Sequence, residues 1–301
     1  MVISRNSKLA EGSDCAEATA FLLAELGVLR KTTIVDVGAN PVNPPPYAEL
    51  LKSGACKVVG FEPQQDAFAQ LQQAKSEDEI YFPFAVGDGN PIDLRIYKSS
   101  GMTSIFDLYA RALRAVGMGI PAMLDKVKLE TVALDSIPDL PPFDLLKIDI
   151  QGGENLVFGG AKRVMTQAVA VIVELRYLRL YHGEPMLGGV DTELRSQGFY
   201  LHKFMFAKSL PLRNSQIHRL KSKLVSDQLV DGDGIYIKNI ATPDKLDDEQ
   251  IKHLAILGAG VFASQSLVLF CLDQLVKRGA VRAELPAAYV DVLPARLRKP
   301  G

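Results

Sequence analysis

Short apolar runs rich in β-branched residues alternate with amphipathic stretches from about residue 32 to residue 238. This alternation predicts βαβ units and a doubly wound α/β fold with a mostly parallel sheet. The predicted strands are 33–37, 57–61, 80–86, 92–98, 128–134, 144–150, 169–175, 198–204 and 233–238. The predicted helices are 14–26, 44–54 with the prolines 44–46 in its first turn, 66–75, 105–116 and a helical tail over 243–278.

The alternation is interrupted between residues 92 and 142, where a Gly/Ser stretch at 99–104 and its neighbours fit no βαβ unit. We therefore expect one domain over residues 1–240 that contains an insertion over about 92–142. A helical C-terminal extension is expected over residues 241–301. The sequence shows no internal repeat, which argues against solenoid and propeller architectures.

The C-terminal tail contains an uncharged segment of 19 residues, Leu254–Leu272. A transmembrane helix needs about 20 apolar residues, so the length of this segment raises the question of a membrane span. Ser264, Gln265 and Ser266 interrupt it, and its glycines would weaken an isolated helix. We therefore expect no membrane span, but helices that pack on the domain or form a homo-oligomer contact.

Composition and charge describe an ordinary globular protein. Hydrophobic residues make up 48% of the chain and charged residues 23%, and the formal net charge of -1 gives no reason to expect a nucleic-acid partner. The cysteines at 15, 56 and 271 lie far apart among aliphatic residues, which is typical of reduced thiols rather than a metal site. The polar first residues lack the apolar stretch of a secretory signal, so we expect a cytoplasmic location.

The first predicted strand ends in the sequence Asp36-Val37-Gly38-Ala39-Asn40. Open α/β sheets bind cofactors beyond the carboxyl ends of their strands, and a glycine there lets the backbone turn sharply beside a ligand. A simple turn that needs a positive φ would also place a glycine at this position. The segment is therefore a candidate cofactor loop, although Gly38 alone does not decide between the two interpretations.

An acid follows each of the next two predicted strands. Glu62 ends the second strand, 24 residues after Gly38, where doubly wound domains place a carboxylate that accepts ribose hydroxyls. Asp88 ends the third predicted strand, where it would contact an adenine amine. We expect these strand ends to bind one nucleoside.

The loop after the first strand argues against a pyrophosphate ligand. Nicotinamide-binding domains carry Gly-x-Gly-x-x-Gly, which lets a helix N-terminus approach two phosphates. This chain lacks that triplet and has Pro41 and Pro44–Pro46 in the same region, where the amide hydrogens are missing. A ligand without phosphates fits the loop better, so a nicotinamide oxidoreductase is the least favoured class.

A further candidate site lies in residues 145–154, Leu-Leu-Lys-Ile-Asp-Ile-Gln-Gly-Gly-Glu. Asp149 falls at the carboxyl end of a central strand, and the two glycines after it allow close approach of backbone and substrate. Glu154 then begins the next helix, where an acid can act in catalysis or simply support the helix N-terminus electrostatically. Asp149 is therefore the leading candidate for a catalytic group.

Taken together, these segments resemble the FkbM-type methyltransferases, S-adenosylmethionine enzymes found largely in glycan and natural-product pathways. The segments that carry the resemblance are 35–40 (VDVGAN), 60–63 (GFEP), 85–88 (AVGD), 131–137 (TVALDSI), 145–154 (LLKIDIQGGE) and 171–175 (VIVEL). The resemblance implies a Rossmann-like class I methyltransferase sheet of seven strands and a methyl acceptor near Asp149. The residues that it implies in contact with S-adenosylmethionine are Asp36, Gly38, Asn40, Glu62 and Asp88.

The sequence departs from the family pattern at two places. The family usually has Glu and Gly-Ala where this chain has Gln151 and Gly152-Gly153. It also usually has a glycine where Val42 stands. These departures leave the expected fold intact and make the acceptor harder to predict.

We expect an O-methyltransferase that acts on a hydroxyl of a saccharide or secondary metabolite. A base within hydrogen-bond reach would take the hydroxyl proton, and the candidates are Asp149, Glu154, His182 and Glu174. The three acids could instead hold a divalent cation through oxygen ligands. A basic stretch at 213–223 is either a solvated face or a surface for an acidic ligand. The alternative from another class is a catalytically silent nucleoside-binding module that uses the tail for assembly.

Overall fold

The computed structural model describes residues 16–41 and 43–299, and its largest element is a seven-stranded sheet. The strands in chain order are β1 (Thr32–Val37), β2 (Cys56–Phe61), β3 (Glu79–Phe82), β4 (Ala85–Val86), β5 (Ile92–Tyr97), β6 (Met123–Leu129), β7 (Thr131–Val132), β8 (Leu145–Ile148), β9 (Ala170–Arg176), β10 (Phe199–Leu210) and β11 (Gln228–Lys238). The main sheet has the order β10-β11-β9-β8-β1-β2-β3. Strand β11 pairs antiparallel with both of its neighbours, β10 and β9, and the other described pairs of this sheet are parallel. The predicted mostly parallel, doubly wound sheet is therefore confirmed.

Helices cover this sheet and extend beyond it at the C-terminal end of the chain. They are α1 (Ala16–Leu26), α2 (Ala48–Lys52), α3 (Gln65–Ala74), α4 (Ala110–Ala115), α5 (Glu154–Gly159), α6 (Leu187–Ser196), α7 (Asp248–Gly260), α8 (Gln265–Lys277) and α9 (Leu285–Asp291). The predicted beginning of α1 at Asp14 lies outside the described residues. Helix α2 begins after Pro44–Pro46 rather than with them, and it is only five residues long.

The central strands are buried because both faces of the sheet are covered. Alternate side chains point to opposite faces of a strand, so Ile34 and Val35 of β1 belong to two different hydrophobic clusters. Helices α1, α2, α7, α8 and α9 contribute to the cluster around Ile34, and α5 and α6 to the cluster around Val35. The apolar runs that predicted β1, β8 and β9 therefore reflect strands buried on both sides.

The uncharged segment Leu254–Leu272 is divided between two helices that pack on the sheet. Helix α7 ends at Gly260 and α8 begins at Gln265, with Ala263 at a φ of +48° between them. Leu257 and Val268 are buried in the cluster around Ile34. None of the helices in the described residues is long and apolar enough to cross a membrane.

The predicted third strand, 80–86, is wrong in its second half. Strand β3 ends at Phe82, and after Pro83 and Phe84 the chain leaves the main sheet. A proline has no amide hydrogen for a ladder bond, which explains the break at this point. Strand β4 then pairs with β7 in a separate two-stranded sheet. Asp88 consequently does not lie at the end of β3.

The insertion predicted over about 92–142 forms its own small sheet beside the main one. Strands β5 and β6 pair antiparallel, as the alternating sequence of 92–98 suggested. The predicted strand 128–134 is divided at Glu130 between β6 and β7. The predicted helix 105–116 is shorter than expected, because only Ala110–Ala115 is helical. The insertion returns to the main sheet at β8.

Candidate active site

The first of two neighbouring cavities, about 400 Å³ in volume, opens beyond the carboxyl ends of β1, β2 and β8. Its lining comprises Asp36, Gly38, Asn40, Asn43, Pro44, Pro45, Pro46, Glu62, Pro63, Gln64, Leu94, Ser100, Gly101, Thr103, Lys147, Ile148, Asp149, Ile150, Gln151, Ile172 and Asp233. We call it the first cavity. It brings together Asp36, Gly38, Asn40, Glu62 and Asp149, which the sequence predicted from separate strand ends.

Gly38 lets two neighbouring strand ends approach each other at the edge of this cavity. Its φ is +78°, and its amide donates a hydrogen bond of 3.0 Å to the carbonyl of Phe61. A Cβ at this position would collide with the main-chain carbonyl oxygen of Asp149. Glycine is therefore required here both by backbone conformation and by the close contact of β1 with β8.

Asp36 anchors the inner wall of the first cavity. The side chain is almost fully buried, with its Oδ1 2.9 Å from Lys147 Nζ and its Oδ2 accepting a 2.5 Å hydrogen bond from Tyr47. The Lys147 ammonium also donates to the carbonyl of Gly38 at 3.2 Å. Burial lowers the pKa of Lys147, but the carboxylates of Asp36 and Asp149 outweigh it and hold that pKa above its usual value. The ion pair therefore fixes the loop around Gly38.

Glu62 presents a buried carboxyl group to the same cavity. Only 3% of the residue is exposed, and its Oε1 accepts a 2.7 Å hydrogen bond from the amide of Gln64. Burial raises the pKa of Glu62 to about 7, although the Gln64 amide acts in the opposite direction. Hydroxyl groups of a ligand would favour the ionised form by donating to it, which is the interaction that ribose makes in doubly wound domains.

A second cavity, about 470 Å³ in volume, adjoins the first on the side of β9 and β11. Its lining comprises Gly101, Met102, Met118, Asp149, Gln151, Glu174, Arg176, Leu180, Phe206, Ala207, Lys208, Ser209, Asp231 and Asp233. Gly101, Asp149, Gln151 and Asp233 line both cavities. Asp149 therefore lies where a ligand in one cavity would meet a ligand in the other.

Gln151 links the acids at this junction through its side-chain amide. Its Nε2 donates hydrogen bonds of 2.9 Å to Asp149 Oδ1 and 2.8 Å to Glu174 Oε2, and its Oε1 accepts one of 2.6 Å from Arg176. The backbone of Gln151 has a φ of +59°, a conformation that costs a non-glycine residue free energy and often marks a functional site. Burial and the Asp149 carboxylate raise the pKa of Glu174 well above its usual value.

The same amide group lies between two acids of the predicted cation site. Its two N–H groups point at Asp149 and Glu174, two of the three acids of the predicted cation site. Glu154 is turned away from them toward the backbone. Among the described residues no group of His, Cys, Asp and Glu side chains is arranged to hold a metal ion. The alternative of a divalent cation between these acids finds no support in this arrangement.

Glu154 lies at the first position of α5 and supports the loop before it. Its Oε1 accepts hydrogen bonds from the amides of Gly152 at 3.0 Å and Ile150 at 3.3 Å. Burial raises the pKa of Glu154, and the Gly152 amide opposes this effect. The residue is not among the described residues that line either cavity. The structure therefore places it behind the site, where it holds the glycine loop.

His182 and Asp88 also lie apart from both cavities. His182 is exposed, and its amide donates a hydrogen bond of 2.7 Å to the carbonyl of Asp107. Its ring packs edge-on against that of Tyr109, with 4.8 Å between the ring centroids. Asp88 is exposed in a turn, where it accepts hydrogen bonds from the amide and side chain of Asn90. These contacts with Asn90 lower the pKa of Asp88. The structure does not bring either residue to the junction at Asp149.

Four residues that the sequence analysis did not select contribute to the site: Tyr47, Lys147, Gln151 as a hydrogen-bond donor, and Arg176. Lys147 and Arg176 carry charge within or directly after apolar strand sequences, which is an unusual position for a cation. That signal was available in the sequence. Tyr47 follows three prolines and had no comparable signal.

The sequence profile of the Methyltransferase FkbM domain matches residues 36–201, more than half of the chain. The chain belongs to the FkbM methyltransferase family. The match covers the strand ends that line the first cavity and the junction at Asp149. A search of curated proteins found no match. The order of the main sheet agrees with the class I methyltransferase fold that the resemblance implied.

Solved structures with a similar backbone fold include other methyltransferases. An FkbM methyltransferase from Methylobacillus flagellatus KT has 14% sequence identity and a TM-score of 0.38, with 70% of this chain and 45% of that chain covered. This chain thus spans less than half the length of that protein. A precorrin-6y C5,15-methyltransferase from Geobacter metallireducens GS-15 has 10% identity and a TM-score of 0.32, with 73% and 84% covered.

Proposed function

We propose that this FkbM-family chain is an S-adenosylmethionine-dependent O-methyltransferase that acts on a hydroxyl of a saccharide or a similar polyhydroxylated secondary metabolite. The observation that carries the proposal is the meeting of two cavities at Asp149. A methyltransferase needs two adjoining sites, one for the methyl donor and one for the acceptor. A carboxylate between them is placed to act on the acceptor.

The residues of the first cavity fit a nucleoside cofactor without phosphates. Pro44–Pro46 line it and supply no amide donors for a pyrophosphate, whereas Glu62 supplies a buried acceptor for ribose hydroxyls. We propose that Gly38, Asn40 and Glu62 contact the cofactor and that Asp36 holds the loop through Lys147. The turn that contains Asp88 is not part of the lining of the first cavity. The contact of Asp88 with the adenine amine therefore stays a prediction.

When bound, S-adenosylmethionine supplies an electrophilic methyl group on a sulfonium sulfur. The protein then has to orient an acceptor hydroxyl, exclude water and receive one proton. We propose that the Asp149 carboxylate takes this proton and that the Gln151 amide holds the carboxylate in place. Asp149 is favoured over Glu154 and His182, because it alone of the three lines the cavities.

The position of Asp149 also favours an enzyme over a silent nucleoside-binding module. A module used only for assembly has no need for a second cavity that shares an acid with the first. The expectations of a cytoplasmic location, of no nucleic-acid partner and of a homo-oligomer contact through the C-terminal helices stay predictions.

Titration with S-adenosylhomocysteine and with NAD tests the cofactor assignment. We expect S-adenosylhomocysteine to bind and NAD not to bind. Glu62→Gln should weaken binding by about tenfold or more, because a hydrogen bond to a charged group is worth about 1.5–3 kcal/mol. The control is Glu77→Gln, which removes an exposed acid outside the cavity. Equal binding of NAD would overturn the assignment.

The pH dependence of the same titration provides a second readout. Ribose recognition uses the ionised form of Glu62, whose pKa burial raises to about 7. Affinity for S-adenosylhomocysteine should therefore fall as the pH is lowered through 7, and the Glu62→Gln variant should lose this dependence.

A further inference from the structure

The segment 211–227, which connects β10 to β11, carries positive charge that the fold does not neutralise. We call it the connecting loop. Arg213, Arg219, Lys221 and Lys223 are exposed, and none of them forms an ion pair with a carboxylate of the described residues. Asp227 is the one acid in the loop, so four cations against one acid leave a formal charge of +3. The connecting loop is therefore a basic surface.

The same loop exposes leucine side chains. The exposed fraction is 52% for Leu212, 47% for Leu220 and 79% for Leu224. A single apolar residue on a surface is ordinary, but here exposed leucines alternate with cations along one short segment. A loop that only meets water gains nothing from them. The connecting loop therefore has the composition of an interface that combines charge with apolar contact.

Helix α4 extends this surface. The amide of Arg213 donates a hydrogen bond of 2.7 Å to the carbonyl of Ala115 at the end of α4. Arg111 and Arg114 of this helix are exposed and form no ion pair with a carboxylate in the part of the chain that the structure describes. Ile120, shortly after the helix, is also exposed. Further cations and a further aliphatic side chain thus lie near the connecting loop.

Both ends of the connecting loop are anchored beside the second cavity. Ser209 of β10 lines that cavity, and the loop begins two residues later. Leu210 before the loop and Val230 after it belong to one hydrophobic cluster with Met118 and Leu180, which also line the cavity. A partner that binds the loop would therefore lie close to the second cavity.

Two classes of macromolecule carry the negative charge that suits these cations, nucleic acids and anionic lipid bilayers. Proteins that bind single-stranded nucleic acids stack bases on aromatic side chains, and residues 211–227 contain no Phe, Tyr or Trp. A bilayer instead takes leucine side chains into the boundary between headgroups and acyl chains, while lipid phosphates attract Lys and Arg. The combination of exposed leucines and unpaired cations favours the bilayer.

We infer that the connecting loop, together with α4, docks on the surface of an anionic lipid bilayer. The Lys and Arg side chains would lie among the lipid phosphates, and Leu212, Leu220 and Leu224 would enter the boundary with the acyl chains. The contact is peripheral and involves no membrane span. It would bring the second cavity close to the lipid headgroups. The inference goes beyond the proposed function and does not depend on it.

Cosedimentation of the full chain with lipid vesicles tests the inference. The vesicles consist of phosphatidylcholine alone or of phosphatidylcholine mixed with the anionic phosphatidylglycerol. The protein should bind the mixed vesicles and not the neutral ones, and binding should weaken as salt is raised to 1 M, where the screening length is about 3 Å. Binding to neither kind of vesicle, or to both kinds equally, would overturn the inference.

The double variant Lys221→Gln, Lys223→Gln measures the contribution of charge. Each cation near an anionic bilayer contributes about fivefold in affinity, so this variant should bind the mixed vesicles about thirtyfold more weakly. The control is Lys75→Gln with Lys277→Gln, which removes two exposed lysines outside the loop and should have a much smaller effect. Equal effects of the two double variants would show that net charge alone matters and would overturn docking through the loop.

Leu224→Ser measures the apolar contribution and separates a bilayer from a nucleic acid. Loss of a leucine that enters the bilayer should weaken binding about tenfold or more. The control Leu29→Ser changes a leucine that is 85% exposed outside the loop, and it should leave binding unchanged. Full binding of Leu224→Ser, with weak binding of the lysine variant, would indicate attraction by charge alone and would overturn the bilayer as the partner.

These substitutions change exposed side chains, and a similar urea midpoint verifies that each variant folds. Vesicle binding needs no methyl donor. Its absence in a protein that binds S-adenosylhomocysteine overturns this inference alone. Lack of S-adenosylhomocysteine binding by a protein that binds the mixed vesicles overturns the proposed function alone.

Discussion

Replacing Gln151 with glutamate tests how the acids at the cavity junction are held apart. In the unmodified protein the Gln151 amide donates to Asp149 at 2.9 Å and to Glu174 at 2.8 Å. Glutamate has nearly the same shape, and its carboxylate can still accept from Arg176. It loses both donations and adds a third carboxylate to the cluster. It is also the residue that the family usually has at this position.

The size of the effect follows from these contacts. A hydrogen bond to a charged group is worth about 1.5–3 kcal/mol, so the two lost donations correspond to about 3–6 kcal/mol. A stronger ion pair with Arg176 and protonation of one acid will offset part of this loss. We expect Gln151→Glu to lower the free energy of unfolding by about 2–4 kcal/mol at pH 8, which is large compared with a typical total of 5–15 kcal/mol.

The loss should become smaller on acidification. The pKa of Glu174 is already raised by burial, and a third carboxylate beside it would raise the acids further. A carboxyl group whose pKa is raised in the folded state binds its proton at a higher pH there than in the unfolded chain. Acidification therefore favours the folded variant, and its loss in free energy of unfolding should shrink as the pH falls toward 5. Urea unfolding at pH 8 and pH 5.5 measures this difference.

Divalent cations provide the sharpest comparison. Mg²⁺ or Ca²⁺ should stabilise Gln151→Glu, because three carboxylates offer oxygen ligands, and should leave the unmodified protein unchanged. Gln151→Met is the control, since it removes the same donations without adding charge and should not respond to cations. Unimpaired stability of Gln151→Glu at pH 8, or stabilisation of the unmodified protein by these cations, would refute the reasoning.

Three further predictions concern the rest of the fold. Truncation after Thr242 removes α7–α9 and so exposes the hydrophobic cluster on one face of the sheet. The product should aggregate, as measured by light scattering, and a monomer that unfolds cooperatively would contradict this. Tyr47→Phe should lower the free energy of unfolding by about 1.5–3 kcal/mol, through loss of the bond to Asp36, and an unchanged urea midpoint would count against it. Burial lowers the pKa of His253 below 6.5. Below pH 6.5 the unfolded chain therefore binds a proton at this residue more readily than the folded chain does, and the free energy of unfolding should fall as the pH drops. The slope should be up to about 1.4 kcal/mol per pH unit, and His253→Gln should remove it.

The prediction for His253 depends on its surroundings. The buried ring lies 3.0 Å from the hydroxyl of Thr32 and 3.8 Å from Asp144, and Asp144 partly opposes the effect of burial on the pKa. Arg30 acts with burial, whereas Glu249 and Asp247 act with Asp144. Equal pH dependence of the unmodified protein and of His253→Gln would show that other groups control acid unfolding.

The main sheet could be predicted from the sequence because its central strands are buried on both faces. Continuous apolar runs such as those of β1 and β9 produce a strong signal, and helices between them indicate parallel pairing. The third strand was predicted too long, because the apolar pattern of 80–86 continues on both sides of Pro83. A single proline in such a run is better taken as the end of a strand.

The candidate site was predicted in part for a topological reason. Parallel strands end at the same edge of the sheet, so Asp36, Glu62 and Asp149 could be placed together without knowledge of any contact. Contacts between side chains from distant segments could not be obtained in this way. The bond from Tyr47 to Asp36 and the amide of Gln151 between two acids depend on side-chain directions that only the folded chain defines.

The most direct test of the central claim is transfer of a ¹³C-labelled methyl group from S-adenosylmethionine to oxygen, followed by NMR of the products from saccharide and secondary-metabolite extracts. The unmodified protein should produce S-adenosylhomocysteine together with a labelled O-methyl product. Asp149→Asn should be slower by about 10²–10⁴-fold, the usual contribution of a general base, with little change in affinity for S-adenosylhomocysteine. Label on no oxygen-linked product, or transfer by Asp149→Asn at the rate of the unmodified protein, would contradict the account.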